Sequence, residues 1–591
     1  MASTCFEAPL SLALIASLLG SCAPRDVELF PDSRSVATAG GASEGGSSGG
    51  GGSGGGGGSG GSGGRAGEPP SERCDAVVPA DLLAPRPPMG WNGWTTFECG
   101  PELDEAKLRA VVAALVDSGM QTAGYTYVNL DRCWGDARDA DGNLVLASAR
   151  LPSGIGELSR ELHASGFKLG FHRYSNSCAS ASADNEARDA LTYADWGVDL
   201  LKVVACVGRA SADRQGATAM AQALRDAGRD MVLSLAMPPF QEWMSDVGHL
   251  SRTGPPIAGT WSSILDALDV AAPLAAYTRP GSFIDPDFLV AGIGDLSEAE
   301  QRAHFSLWSI LSAPLIASND PTEMTEATRR ILTSAELIAI NQDPLALQGA
   351  LIRRDGELDI YAKPLAECGA RAVVLFNRGE SPVSARVEWP EIWLEPGPAR
   401  VRDLWAREDL ATDGLAAEVL VEPHDVRALQ ITGSEPAVGD GELRLGDVSF
   451  TYEANGYGPV ERNTTVGEQP AGDGQPLRMR GRLYADGLGV HAPSLLRFRL
   501  GERCTRFTAQ VGIDDESDGR GSAVFQVWSD GEKLFDSGIV TGETPPRQVD
   551  VLLQGRRDLR LFVGTTADGF ARDHADWAEA RLHCSQESSA R

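Results

Sequence analysis

Apolar and polar positions change their period several times along this chain, and the changes divide it. In "PELDEAKLRAVVAALVDSGM" Pro101 opens a helical pattern, Leu108, Val111, Val112, Leu115 and Val116 share one face, and Gly119 stops it. Short apolar runs recur between such patterns: "YTYVNLD", "FKLGFH", "VDLLKVV", "DMVLSLA", "GSFIDPD" and "APLIAS". Six or more strand–helix units between Pro87 and Asp343 predict a parallel, TIM-type barrel with its active loops at the C-terminal mouth of the strands. An open doubly wound sheet is the alternative, and no glycine-rich phosphate loop supports it.

From Ile352 to Thr432 the period shortens to two, as in "ELDIYAKPL" and "RAVVLFNRG", which predicts an antiparallel β-sandwich. "SEPAVGDGEL" marks a boundary, with a further module expected after it. The expected divisions are 1–22, a signal or lipoprotein peptide; 23–74, a Gly/Ser-rich tether; 75–345, the barrel; 346–435, the sandwich; and 440–586, the last module. The apolar run "LSLALIASLLGSC" is too short for a membrane span. "LLGSC" resembles a bacterial lipoprotein box, which would make Cys22 the lipid-modified first residue of an exported protein. The resemblance implies anchoring to an outer or cell-surface membrane, or an extracellular place.

Composition narrows the partners. Acidic residues outnumber basic ones 82 to 52, and the net charge of −30 argues against nucleic acid and anionic membranes. Ten cysteines in an exported chain favour disulfides, and no zinc-type spacing is present, so no metal is expected in the barrel. Spacing alone leaves their pairing open, that of Cys74 and Cys368 included.

Several segments are recognisable together. "PPMGWNGWTTFEC", "YVNLDRCW", "ADWGVDLLK", "IDPDFLV", "SLWSILSAPLIASND" and "AINQDPL" resemble, in order, the signature segments of glycoside hydrolase family 27, the α-galactosidases and α-N-acetylgalactosaminidases. The resemblance implies a (β/α)8 TIM barrel and retaining hydrolysis of terminal α-galactosides by two aspartates, with no cofactor. Such chemistry needs two carboxylates about 5 Å apart, one as nucleophile and one as acid then base. The family's Lys-x-Asp-x-Cys strand end corresponds here to Lys202-Val203-Val204-Ala205-Cys206, so Val204 occupies the nucleophile position. Strand alternation puts Lys202, Val204 and Cys206 on one face. Counting from Arg252 and Trp261 puts Pro256 at the acid/base position, and the family's sugar-binding glutamate falls at Ala236.

What the resemblance retains is a set of sugar-contacting positions: Trp94, Asp131, Lys202, Cys206, Arg252 and Asp287, with Asp285 completing a "DPD" turn. It also implies the disulfides Cys99 with Cys133 and Cys178 with Cys206. Arg132, His172 and Arg173 replace less basic family residues, so the mouth is expected to favour galactose-containing or acidic glycans. The C-terminal segments "GLGVHA" and "DHADWA" resemble an NPCBM-type carbohydrate-binding module, which implies a β jelly-roll module. There Asp573 and Trp577 are the expected sugar contacts, Cys504 and Cys584 the expected disulfide, and Asp514 and Asp515 a candidate calcium pair. Three functions compete: a sugar-binding protein on a silenced barrel, an active glycosidase recruiting Asp131, Asp285, Asp287, Glu242 or Asp246, and a surface adhesion protein.

Overall fold

The computed structural model describes residues 82–585 apart from 133, 135–136, 147, 175–183, 206–213, 413 and 468–470. Eight parallel strands form the first sheet: β1 (Met89–Asn92), β2 (Tyr127–Leu130), β3 (Lys168–Tyr174), β4 (Leu200–Val204), β5 (Val232–Ala236), β6 (Leu250–Arg252), β7 (Phe283–Asp285) and β8 (Leu315–Ala317). Consecutive strands pair from β1 to β7, and β8 returns to β1. A parallel bridge from Leu289, just beyond β7, to Ala317 closes the ring. The TIM barrel expected from the alternating pattern is therefore present.

The helix read at Pro101 begins later, at Glu105, because Asp104 accepts the Lys107 N–H at 2.9 Å and caps it. Leu108, Val111 and Leu115 of that helix are fully buried, whereas Val116 is 46% exposed and lies off the packed face. Six of the eight strands coincide with the apolar runs. The other two, β1 and β6, fall outside those runs.

After the barrel, strands from Ala350 to Thr432 form a six-stranded sheet and a separate pair, the antiparallel sandwich. The last module, from Gly441 to Cys584, lays one antiparallel sheet, which includes His574–Cys584, against another, which includes Ser522–Ser529. Cys504 and Cys584 form a disulfide that joins the early and late strands of this module, as expected. Cys99 is disulfide-bonded, and so, separately, is Cys368. Cys22, Cys74, Cys133, Cys178 and Cys206 lie outside the described residues.

Two residues expected at the sugar surface of the last module are instead interior. Trp577 is fully buried between the sheets, its ring 5.4 Å from Phe525 and 6.3 Å from Phe507. Asp573 is likewise buried, accepting the Ser522 N–H at 2.9 Å, and burial pushes its carboxyl up to about 7. Alternation along a strand gives two faces but does not say which is inside. The candidate calcium pair is engaged by backbone N–H groups. Asp514 accepts the N–H groups of Glu516 and Arg478, and Asp515 those of Arg480 and Gly481. These carboxylates pin a hairpin at Arg478–Leu483, and no cluster of three metal-ligating side chains occurs among the described residues.

Candidate functional site

The mouth is built from the C-terminal ends of the strands. In β4, Leu201 and Val203 are buried while Lys202 and Val204 are half-buried, so the two-residue period sends Lys202 and Val204 to the same side. Register sets His172, Lys202 and Ser234 abreast, with Tyr174, Val204 and Ala236 abreast one step nearer the rim. The row nearest the rim thus holds a phenol and two aliphatic side chains.

Below that row lies a polar cluster. Asp131, just past β2, accepts Lys202 Nζ at 3.2 Å and the Asn92 amide at 2.9 Å on the same oxygen. Lys202 also rests 4.4 Å from the centroid of Phe288. Burial opposes the Asp131 charge, but Lys202, His172 and the Asn92 hydrogen bond outweigh it and hold the carboxyl well below the usual range. His172 is driven the other way: burial, with Lys202, Arg132 and Arg173 nearby, outweighs the pull of Asp131 and lowers its imidazole to about 4. A small pocket of about 30 Å³ among Asn92, Asn129, His172, Lys202, Ser234 and Asp285 forms the inner end of this cluster.

The pH dependence follows from His172. Its folded pKa lies below the unfolded value of about 6.5, so below that pH the unfolded chain takes up a proton that the fold refuses. Stability should therefore fall between pH 6.5 and 4, by roughly 3 kcal/mol from this group. Urea midpoints of the protein and His172→Gln at pH 7 and pH 4.5 check this. The variant should lose less, and equal losses would show that His172 does not carry the effect.

The "DPD" turn makes a second buried pair. Arg252, at the end of β6, is ion-paired with Asp287, which also accepts the Ile257 N–H at 2.9 Å. Asp287 adopts φ of +88° and donates its N–H to Asp285 at 2.9 Å. Burial, with the adjacent Asp287 charge, raises the Asp285 carboxyl above its ordinary value. Pro256 is exposed on the loop after β6, and Ala236 is buried at the end of β5. Of the other recruited acids, Asp246 does not reach the mouth: it pairs with Arg279 at 2.9 Å beside the start of β6, at the opposite end of the barrel. Glu242 lies earlier in the same descending segment.

Arg132 stands apart. Its guanidinium lies 4.6 Å from the Trp94 ring and 5.4 Å from Tyr174, with no ion-pair partner among the described residues. Trp94 and Arg132 are thus brought together at the rim, and Asp131 with Lys202 inside it. Cys206 lies outside the described residues. Asn92, Tyr174 and Phe288 were missed by the sequence reading. Their signal was only that each sits at or just past a strand end.

Residues 86–343 match the family profile described as "Alpha galactosidase A", 355–431 the "Alpha galactosidase C-terminal beta sandwich domain", and 441–583 the "NPCBM/NEW2 domain". A probable α-galactosidase of Dictyostelium discoideum is 39% identical over 363 residues, covering 59% of this chain and 93% of that protein. The chain belongs to the α-galactosidase family, glycoside hydrolase family 27. An α-galactosidase A of Cellvibrio japonicus is 38% identical, covering 60% of this chain and 93% of that protein. Among solved structures, α-galactosidase I of Mortierella vinacea aligns with a TM-score of 0.55 at 28% identity, covering 60% of this chain and 98% of that one. The family portion is thus the barrel and sandwich, with the carbohydrate-binding module appended after them.

Proposed function

We propose that this family member binds the terminal galactose-type residue of a glycan at its barrel mouth without hydrolysing it, and that it does so outside the cell. The observation that carries the reading is the end of β4, where Val204 shares a face with a Lys202 still bonded to Asp131. An isopropyl group has no lone pair with which to attack an anomeric carbon. The hydrogen-bonding partners for sugar hydroxyls remain while the nucleophile position is aliphatic. Pro256 and Ala236 extend the same pattern to the acid/base and glutamate positions.

Arg132 supports a preference for an acidic sugar. Its planar fork, spread over Trp94 and Tyr174 and without a carboxylate partner among the described residues, suits a uronate or sulfate. Export draws support from the Cys504–Cys584 disulfide, the apolar leader ending at Cys22, and the Gly/Ser tether after it. Lipidation of Cys22 would hold the folded part at a membrane surface. Calorimetry of the full chain with galactose and with galacturonate, repeated on Arg132→Ala, tests the reading. Tighter binding of galacturonate, reduced at least tenfold by that substitution, is expected. Equal affinity for both sugars, or no binding of either, would overturn it.

One observation favours a second reading, residual hydrolysis. Asp131 is held ionised while Asp285 is pushed toward its protonated form, and two carboxyls with divergent pKa values are what acid and nucleophile require.

A further inference from the structure

A cleft of about 340 Å³ opens at the other end of the barrel, between the N-terminal ends of β6 and β7 and the outer face of a sheet in the last module. The barrel contributes Arg225, His249 and Arg279, and the module contributes Gln526, Trp528 and Arg560. Its size falls within the range of small-ligand sites, about 300–1,000 Å³.

The walls are held in place. Tyr277, beside the cleft, shares a hydrogen bond with the Thr565 hydroxyl at 2.8 Å and accepts the Thr565 N–H at 3.1 Å. Its ring also meets Phe562 edge-on at 5.6 Å. Inside, the indole of Trp528 is half-buried, and its N–H is fixed by the Gln526 side-chain oxygen at 2.8 Å. The Arg279 guanidinium lies 5.6 Å from the indole ring, itself positioned by the Ser245 carbonyl at 2.8 Å and Asp246 at 2.9 Å. Arg560 is 7% exposed and bonded to Asp558 at 2.9 Å.

Arg225, Arg279 and Arg560 line this cleft with one exposed aspartate, Asp246, in a chain of net charge −30, and Arg560 is held by Asp558 from outside the lining. A half-buried aromatic face beside fixed amide and guanidinium groups suits a sugar ring bearing an anion: the ring stacks on the indole and the anion meets the fork. The geometry points to a second carbohydrate site here, one that takes a monosaccharide or disaccharide end carrying a carboxylate. It rests on the reading of the protein as a glycan binder but uses no residue of the mouth.

The test is a titration of the full chain, labelled with ¹⁵N at tryptophan, with galacturonic acid and separately with galactose. The indole N–H resonance that is absent in Trp528→Phe should move with galacturonic acid and stay still with galactose. Arg279→Met should weaken that response at least tenfold, and Arg225→Met, at the exposed rim, should weaken it less. Arg132→Ala should leave it unchanged while removing binding at the mouth. A Trp528 resonance that does not move, that moves equally with galactose, or that is silenced by Arg132→Ala overturns the inference. Binding that is lost in Arg132→Ala with Trp528 silent would overturn this site and leave the mouth reading intact.

Discussion

Aryl α-galactosides are expected to be hydrolysed no faster with this protein than in a protein-free blank. Glycosidases accelerate such reactions by at least about 10⁶-fold, so the whole of that enhancement should be missing. The retaining route needs a carboxylate within about 5.5 Å of the acid, on the far side of the anomeric carbon. At that strand end Val204 stands between Tyr174 and Ala236. Of the acids that remain, Asp131 is committed to Lys202 and Asn92 and Asp287 to Arg252 and the Ile257 N–H, while Asp285 accepts the Asp287 N–H. Val204→Asp should restore the first half-reaction alone, because Pro256 offers no group to activate water. With a good leaving group it should release about one equivalent of phenol and then stall. Steady turnover by the unaltered protein, abolished by Asp131→Asn or Asp285→Asn, would instead support the recruited pair.

The largest stability effect is expected at the pair under the "DPD" turn. Arg252 and Asp287 are 6% and 4% exposed, so neither charge has bulk water to turn to when its partner is removed. Arg252→Met should destabilise the barrel by about 3–5 kcal/mol, most of it the cost of leaving the Asp287 carboxylate buried with only the Ile257 N–H. Adding Asp287→Asn to that variant should recover part of the loss, since the stranded charge is then gone. Urea unfolding at pH 7 followed by tryptophan fluorescence reads both effects. A loss below about 1 kcal/mol in the single variant, or no recovery in the double, would show that the pair is solvated in solution.

Much of the site was legible because it depends on local rules. Val204 could be assigned to the Lys202 face from the two-residue period of a strand, and the registers on both sides agree. Lys202 and Asp131, by contrast, are 71 residues apart, and only closure of the barrel brings Nζ to 3.2 Å from the carboxylate. Asp246 illustrates the same limit: nothing local says that the segment after β5 descends to the opposite end of the barrel.

The sequence by itself determined the order of domains, the alternation that makes a parallel barrel, and the aliphatic residue at the end of β4. Each of these is carried by spacing along the chain, which covalent geometry converts into direction. Only the tertiary structure decided that Trp577 and Asp573 are interior, that Arg252 is matched to Asp287, and that Trp528 faces a cleft with Arg279. These depend on which sheet face meets another surface and on which distant elements dock. A pattern along one strand cannot encode that, because both faces of a sheet are geometrically equivalent until something packs against one of them.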